Sequence, residues 1–393
     1  MGAGPSLGTI GDTASTEGKT ESNTQRKYRL QDAATRLLPN EKITTCMRCT
    51  APLDPTYPQG GTHDHVEIHR NPDNGKVRVA NTVTCDLLWI CPICAARIAE
   101  ERREELRLVY EHSGKFFALV TLTLRHDLNT PLEKSVDAVA KAARRLKSGS
   151  WWQNTVREWG IIGNVSGLEV TYGYQAGWHP HQHILLVFDE QPGHVNLEAL
   201  EVRIKHKWLD LLSQFGASGS WDNAVDVSHD HAKLAEYIAK HGHAPNDAWT
   251  EAEEMTRSRN KTAKRKGLTP WGLLDAYDKG DKQAGALFVE YAEATRGRNQ
   301  LRWSPGLKEL LNLDGLKADH AEEAIEEDQD TLWMKVEKSY WWALSAHRLR
   351  GAFVQAAIDD DRRLAIEILS EAAIRQQNRY RRRRDELNGV SDD

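Results

Sequence analysis

The sequence predicts an α+β protein whose central domain contains an antiparallel sheet. Between residues 111 and 245, apolar runs typical of strands alternate with segments of helical periodicity in the order β-α-β-β-α-β-α. This is the order of the split βαβ, ferredoxin-like arrangement, in which helices cover one face of the sheet and leave the other face for a site. Two CxxC motifs upstream predict an additional metal-binding module.

The composition is that of a soluble globular protein. The 393 residues are enough for two or three domains of roughly 100 to 200 residues each. Apolar residues make up 39% of the chain and charged residues 28%, and the formal net charge is −5. No uninterrupted apolar run approaches the ~20 residues that cross a bilayer, and the five cysteines are too few for a disulfide scaffold. We therefore expect a cytoplasmic protein with no membrane partner.

Shifts in composition predict the domain boundaries. The first 26 residues or so are rich in Gly, Ser, Thr and Glu, and they cannot bury enough surface to offset the entropy of ordering. The predicted segments are a disordered tail at 1–35, a cysteine-bearing module with a helix at 36–110, the α+β domain at 111–245, a basic linker and helical module at 246–310, and a helical carboxyl-terminal region with a basic tail at 311–393.

The elements of the α+β domain follow from periodicity and from the residues that end each run. FFALVTLTL is a run of β-formers, PLEKSVDAVAKAARRLKSG has helical spacing, and Gly216 and Gly242 close two later helices. The predicted strands are 116–124, 161–173, 179–188 and 224–228, and the predicted helices are 131–149, 196–216 and 231–242. Upstream of them, the mixed charges of AARIAEERREELRLVYEH predict a surface helix.

The cysteines predict a structural metal site. The two CxxC pairs are formed by Cys46, Cys49, Cys91 and Cys94. Each pair places two thiolates on one tight turn, and two pairs complete the tetrahedral four-thiolate shell of a zinc ion. Cys85 is left over and is interpreted as a small buried residue. The alternatives are that the thiols are simply buried, or that some ligands are replaced by histidines of the intervening loop, which are His63, His65 and His69.

Histidines alternate along the predicted strand that reads HPHQHILLVF. Because side chains alternate between the faces of a strand, His179, His181 and His183 share one face, and all three are candidate ligands of a divalent cation. A carboxylate from a neighbouring strand would complete the set and leave positions for phosphate oxygens. Glu169 is the candidate, because it faces His181 or His183 if the hairpin loop has an odd length, whereas an even loop turns it away. The alternative is a solvent-facing strand that happens to carry histidines.

The predicted helix 231–242 carries Tyr237 at the edge of its apolar stripe. Lys233, Lys240 and His241 lie on the same side at helical spacing. A phenol has a pKa near 10, so it attacks phosphorus well only when its anion is stabilised, as nearby ammonium groups and a metal would do. The same lysines could hold the phosphate. Taken alone, the motif is more typical of a tyrosine packed against the core.

Two basic runs predict contacts with the phosphates of a nucleic acid. The segment 255–266 holds six Lys or Arg and no acid, and 375–384 holds six Arg. The candidate DNA-binding residues are Lys233, Arg257, Arg259, Lys261, Lys264, Arg265 and Lys266. The alternative is that these runs pair with the acidic segment 319–330. Thirteen tryptophans add platforms on which single-stranded bases could stack, although we expect most of them in the core.

The motifs FALVTLTL, HPHQH and AEYIAKHG, in this order and after a CxxC module, resemble the rolling-circle replication initiators of plasmids. Those proteins belong to the HUH endonucleases, and the resemblance is closest to the Rep branch of high-GC Gram-positive bacteria. It covers roughly residues 45–310, with WICPICAARI and HPHQH as the most specific segments. The fold it implies is an HUH, ferredoxin-like split βαβ nuclease domain with an amino-terminal zinc-binding module and a helical carboxyl-terminal region, in a bacterial cytoplasmic protein.

The resemblance also implies an activity, the site-specific nicking of single-stranded DNA. The paired histidines of the family, here His181 and His183, bind Mg²⁺ or Mn²⁺, with an acidic third ligand that fits Glu169. The family's tyrosine, here Tyr237, attacks the scissile phosphate, stays joined to the 5′ phosphate and frees a 3′-OH that primes synthesis, while Lys240 helps to neutralise charge. The implied partners are plasmid origin DNA, a host helicase and a host DNA polymerase, since the chain has no ATPase motif.

Two positions depart from the family pattern. Gln182 stands between the paired histidines, where the wider superfamily usually has a bulky apolar residue. Lys233 stands four residues before the tyrosine, where some members of this branch carry a Glu that activates water at termination, and the nearest acid is Glu236. Two other interpretations are an HUH transposase or relaxase, although a relaxase usually carries its tyrosine before the histidines, and a non-catalytic zinc-containing DNA-binding regulator.

Overall fold

The fold was analysed in a computed structural model that describes residues 21–53, 61–229, 234, 268–318 and 330–387. Within these ranges the strands are β1 (His65–Arg70), β2 (Val77–Ala80), β3 (Phe116–Leu122), β4 (Ile161–Gly173), β5 (Gly177–Phe188), β6 (Val225–Ser228), β7 (Leu301–Trp303) and β8 (Thr331–Glu337). The α-helices are α1 (Asn23–Leu37), α2 (Pro92–His112), α3 (Leu132–Leu146), α4 (Gly149–Trp159), α5 (His194–Gln214), α6 (Pro270–Asp278), α7 (Lys282–Thr295), α8 (Leu307–Leu310), α9 (Lys338–Ala346), α10 (Arg350–Ile358) and α11 (Arg362–Leu387).

The larger sheet has the strand order β6-β3-β5-β4-β7, and each neighbouring pair is antiparallel. Because β3 and β4 both pair with β5, they run parallel to each other with β5 between them, which is the split βαβ arrangement. The predicted α+β class with an antiparallel sheet is confirmed. The sequence did not predict two elements of this part of the fold. One is the helix α4, which precedes β4. The other is β7, an edge strand in the segment 301–307, which was expected to be helical.

The two faces of this sheet are covered differently. One face packs against α3 and α5 and carries Ala118, Val120, Leu122, Ile184, Leu186 and Phe188 in the main core. The opposite face carries a smaller apolar cluster that includes Phe117, Leu119, Val165, Leu185 and Val187. Leu106 and Val109 of α2, together with Leu307 and Leu234, cover this cluster at one end of the strands. Since side chains alternate along β5, His181 and His183 lie on this same face, beyond the covered end.

The smaller sheet joins the two ends of the chain. Its order is β2-β1-β8, so β8 from the carboxyl-terminal region pairs antiparallel with β1. The segments predicted as separate units, 36–110 and 311–393, therefore share one sheet, and the second of them is not wholly helical. A hydrogen bond also connects these two segments: Trp341 Nε1 donates to the carbonyl oxygen of Met47 at 3.1 Å.

The predicted disordered tail at 1–35 is wrong for its last third, because α1 begins at Asn23. Ser22 and Gln25 form a capping box, in which each side chain accepts from the backbone N–H of the other residue. Leu30 is fully buried, and Gly351 lets α10 approach the backbone of α1 so closely that a Cβ there would lie 3.0 Å from the Cα of Gln25. None of the helices in the described ranges is long and apolar enough to cross a bilayer.

Candidate functional site

The hairpin of β4 and β5 sets the position of the predicted histidine site. Gly173 pairs with Gly177, and the loop between them has three residues, so of the two alternatives left open by the sequence the loop has the odd length that Glu169 requires. This register places Glu169 directly opposite His181, on the same face of the sheet as the histidines.

A close approach between two loops fixes the hairpin turn. Gly177 has φ +78°, and a Cβ at this position would collide with the carbonyl oxygen of Asp127. Only glycine avoids both problems. In the same contact, His126 Nδ1 donates to the carbonyl oxygen of Ala176 at 2.8 Å. The loop after β3 is therefore held against the turn that aligns the histidines.

Glu169, His181 and His183 converge on one point. The Nε2 atoms of His181 and His183 lie 3.2 and 3.3 Å from the same carboxylate oxygen, Oε2 of Glu169. Desolvation in the site acts to raise the pKa of Glu169, but the hydrogen bonds and charges of the two histidines outweigh it, and the pKa lies well below its usual value. The Glu169 side chain is 45% exposed, so this ionised carboxylate is accessible from solvent.

The Nδ1 atom of each ring, which is the nitrogen turned away from Glu169, has a partner that fixes the orientation of the ring. His181 Nδ1 lies 3.2 Å from the carbonyl oxygen of His179, and because a carbonyl only accepts, this nitrogen carries the proton. When this ring is protonated, its Nε2 donates to the Glu169 carboxylate; when it is neutral, Nε2 directs a lone pair at the carboxylate and the two groups repel. Either a proton or a cation must therefore lie between the two atoms. The donor set therefore fits a divalent ion held by two imidazoles and one carboxylate.

Thr121 orients the second ring and was missed by the sequence analysis. Its Oγ1 lies 3.1 Å from His183 Nδ1, and the register pairs the two residues across β3 and β5. Such partners of the outer nitrogen fix the ring of a metal-binding histidine. The signal that could have found it is the alternation in FALVTLTL, which puts Thr121 on the face opposite the buried Val120 and Leu122.

His179 does not belong to the converging group, in contrast to the prediction. Its ring stacks between those of His126 and His181, with both centroid distances at 4.8 Å. Burial, and then repulsion from the neighbouring histidines, lowers the pKa of His179 to about 4, so the ring is neutral near pH 7. His179 therefore supports the His181 ring by stacking and directs no atom at Glu169.

The predicted nucleophile Tyr237 and its lysines, Lys233 and Lys240, lie outside the described residues, as do the candidate DNA contacts between 257 and 266. One residue of this segment is described: Leu234 is 1% exposed and packs into the apolar cluster on the histidine-bearing face.

Four cysteines form a second group whose sulfur atoms converge, and its members are Cys46, Cys85, Cys91 and Cys94. The Sγ–Sγ distances are 3.7 Å for Cys46–Cys91, 3.5 Å for Cys46–Cys94 and 3.7 Å for Cys85–Cys94. These distances are far too long for a disulfide. They match the edge of a tetrahedron of sulfurs about 2.3 Å from a central zinc ion, which is about 3.8 Å.

The membership of this group corrects the prediction. Cys49 is exposed and is not one of the four, whereas Cys85, which was interpreted as left over, takes its place. The reason is a pairing between distant segments: Met47 N donates to Val83 O at 2.7 Å, and Val83 N donates to Cys49 O at 2.9 Å. This pairing brings the chain after Val83, and with it Cys85, alongside Cys46.

The cysteine group concentrates its negative charge on one thiol. Hydrogen bonds from the other three thiols lower the pKa of Cys94, whereas hydrogen bonds among the thiols and burial raise the pKa values of Cys46, Cys85 and Cys91. Gln31 Nε2 donates to Cys91 Sγ at 3.6 Å. Close by, Asp32 accepts from both Arg48 and Arg350. Arg350 is 1% exposed, so this cluster places two buried or half-buried guanidinium groups against a single carboxylate beside the thiols.

Of the predicted basic runs, the one at 375–384 lies within the described residues, in the last turns of α11. Arg375 pairs with Glu371 at 2.5 Å. From residue 377 to the end of the helix nearly every side chain is exposed. The expected pairing of this run with the acidic segment 319–330 falls mostly outside the described residues.

Comparison with known sequences places the chain among replication proteins. It belongs to the family described as "Replication protein", which it matches over residues 76–348. The predicted resemblance to plasmid replication initiators of high-GC Gram-positive bacteria is thereby confirmed at the level of the family.

Two relatives from Streptomyces are similar to parts of the chain. Protein rep of Streptomyces lividans is 26% identical over 304 residues, covering 60% of this chain and 65% of that protein. The neomycin resistance protein of Streptomyces cyanogenus is 30% identical over 131 residues, covering 26% of this chain and 30% of that protein. The chain thus spans less than two thirds of the length of either relative. No solved structure matches it.

Proposed function

We propose that this replication protein initiates rolling-circle replication by nicking one strand of plasmid origin DNA, with an HUH-type site at His181, His183 and Glu169. The observation that carries the proposal is the convergence of two imidazole nitrogens on one carboxylate oxygen at 3.2 and 3.3 Å. Three protein ligands leave open positions at a divalent cation, and phosphate oxygens are suitable ligands for those positions.

The residues of the chain would divide the reaction between them. His181, His183 and Glu169 would hold Mg²⁺ or Mn²⁺, which supplies charge stabilisation to the scissile phosphate. Tyr237 would provide the attacking oxygen: its bond to phosphorus forms as the bond from phosphorus to the 3′ oxygen breaks. The phenol proton is transferred to the departing oxygen, so the products are a 5′-phosphotyrosine and a free 3′-OH. Lys233 and Lys240 would neutralise charge on the phosphate.

Two features support the assignment of Tyr237. Leu234, three residues before it, packs on the same sheet face as the histidines. The order of the motifs, with histidines before tyrosine, also matches the family resemblance. The alternative of a relaxase is disfavoured by this order, and the match over residues 76–348 to the replication protein family favours an initiator over a transposase.

We assign the cysteine group to a structural zinc ion. Four thiolates at the edge lengths of a zinc tetrahedron leave no open position for a substrate, so the group would stabilise the fold rather than take part in the reaction. The neighbouring guanidinium groups would offset the negative charge of such a centre. A host helicase and polymerase would be needed downstream of the nick.

The experiment that tests the proposal is capture of the covalent adduct. Single-stranded oligonucleotides that tile the plasmid's replication region, labelled at the 3′ end, are incubated with the protein and Mn²⁺ and analysed on a denaturing gel. We expect one oligonucleotide to give a labelled species of protein size, absent with Tyr237→Phe and with His181→Ala/His183→Ala. A mobility shift under native conditions without any adduct would instead identify a non-catalytic DNA-binding regulator.

A further inference from the structure

A cleft of about 820 Å³ lies beside the histidine site. Its walls are the loop that follows β3, the first turns of α3 and the segment between α5 and β6. His179 lines the cleft, and its ring stacks on that of His181 with a centroid distance of 4.8 Å. The cleft and the converging group are therefore separated by one stacked ring: His179 lines the cleft, and His181 lies on the other side of that ring.

The lining is polar and carries positive charge. Arg125 and Lys134 are both exposed at the cleft, and neither forms an ion pair with any other described residue. The one lining acid, Asp127, already accepts hydrogen bonds from the backbone N–H of Asn129 and from the hydroxyl of Thr130. Two cations without carboxylate partners make the cleft a site for an anion.

Other lining groups fit the uncharged parts of a nucleotide. Ser218 and Asn223 contribute donors and acceptors of the kind that bind base edges, and the His126 imidazole adds an aromatic ring. The volume lies within the range of sites that enclose small organic ligands, but the apolar side chains in its walls are limited to Leu124, Ala138 and Ala217, whereas apolar side chains dominate such pockets. A charged, hydrogen-bonding polymer therefore fits the cleft better than an apolar ligand.

We propose that this cleft binds the nucleotides of the single-stranded origin that adjoin the scissile phosphate, with Arg125 and Lys134 neutralising their phosphates. The inference rests on the proposed function, because it places the scissile phosphate at the histidine site. The stacking of His179 on His181 connects the cleft to the histidine site. A DNA strand whose scissile phosphate lies at His181 would therefore continue into the cleft.

Binding without reaction tests the proposal separately from nicking. The probe is a fluorescein-labelled 12-nucleotide single strand from the replication region, and its affinity is measured by anisotropy across a salt series without added divalent metal. The variants are Arg125→Gln and Lys134→Gln. The matched control is Lys141→Gln, on the same helix as Lys134 but paired with Asp137 at 2.8 Å and outside the cleft.

We expect each cleft variant to weaken binding about tenfold at low salt and to reduce the slope of log K against log salt by about 0.7, the value for one lost phosphate contact on a single strand. Lys141→Gln should stay within about twofold of wild type. Unchanged slopes in both cleft variants, or an equal loss in the control, would overturn the proposal. So would displacement of the probe by an equimolar mononucleotide, because the cleft would then be a site for free nucleotides.

The binding measurement and the adduct test can fail separately. If the wild-type protein formed no adduct but the cleft variants still bound the strand more weakly, the nickase assignment would fail, and the cleft would remain a binding site for single-stranded DNA without a scissile phosphate beside it. If adducts formed and the cleft variants bound and reacted like wild type, the nickase assignment would stand and the cleft assignment would fail.

Discussion

The composition of the cysteine group can be tested with a pair of substitutions that differ only in position. Cys85→Ser removes one of the four converging sulfurs, whereas Cys49→Ser removes an exposed thiol outside the group. The CxxC pattern alone predicts the opposite result, so the pair distinguishes the structure from the motif.

The size of the effect follows from the number of ligands. Zinc bound to four protein ligands stabilises small domains by about 10–16 kcal/mol, so one ligand of four accounts for about 2.5–4 kcal/mol. At about 1.4 kcal/mol for each factor of ten, Cys85→Ser should weaken zinc binding about 100- to 1,000-fold. The observed sulfur separations of 3.5–3.7 Å need little adjustment to receive the ion.

Two measurements check this expectation. Elemental analysis of the purified protein should give one zinc per chain for wild type and for Cys49→Ser, and competition with a chromophoric chelator should show the weaker binding of Cys85→Ser. Thermal melting of wild type and Cys49→Ser should fall on chelation, whereas Cys85→Ser should melt low in either condition. Retention of zinc by Cys85→Ser together with its loss from Cys49→Ser would refute the assignment.

Three further expectations follow from contacts in the structure. Thr121→Val, which removes the hydroxyl beside the second histidine ring, should reduce Mn²⁺ affinity about 10- to 100-fold by calorimetry, and Thr121→Ser should restore it. Arg350→Met leaves the 5%-exposed Asp32 with one partner fewer and should cost about 3–5 kcal/mol in urea unfolding; a smaller loss than that from an exposed Arg→Met change would contradict the role of the pair. Burial lowers the pKa of Lys147 to about 8, so the unfolded chain binds this proton more tightly and stability should rise between pH 8 and 10.5, by at most about 3 kcal/mol. Lys147→Met should flatten that rise, and an identical pH profile in both proteins would show that the lysine does not contribute.

The histidine site was predictable because its information is local. Strand alternation puts His181 and His183 on one face, and a short hairpin connects them to Glu169. Only the loop length was open, and the structure gives the odd length. The prediction of His179 as a ligand was wrong for a physical reason. Strand alternation shows which side chains share a face of the sheet, but it does not show which of them lie close enough to Glu169 to bind the same ion.

The cysteine centre was predicted only in part, because its fourth member depends on a pairing that the local motif does not encode. The CxxC spacing places Cys46 and Cys49 on one turn, but the hydrogen bonds between residues 47–51 and 81–83 decide which thiol faces the others. Met47 and Asn81 both have positive φ at this pairing, at 55° and 61°, a conformation that sequence patterns rarely reveal.

The helix α1 and the strand β8 were not predicted, and the reasons differ. The helix α1 had a readable signal, since Ser22 and Gln25 stand at capping-box spacing, but the composition of the preceding residues masked it. The strand β8 had no such signal, because its partner β1 lies far away along the chain. Pairings between distant segments are what sequence periodicity cannot supply.

The pairing of β1 with β8 has a consequence for synthesis. Arg70 and Thr331 are in contact across 261 positions of chain, and translation at about 5–20 residues per second takes about 13–50 s to cover that distance. Throughout this interval one edge of β1 lacks its neighbour on the nascent chain, and by the end of the interval the segments that carry all four converging thiols and the histidine hairpin have been synthesised. Of the two sheets in the described residues, the smaller one is therefore the last whose strands are all synthesised, although it contains the first strand made.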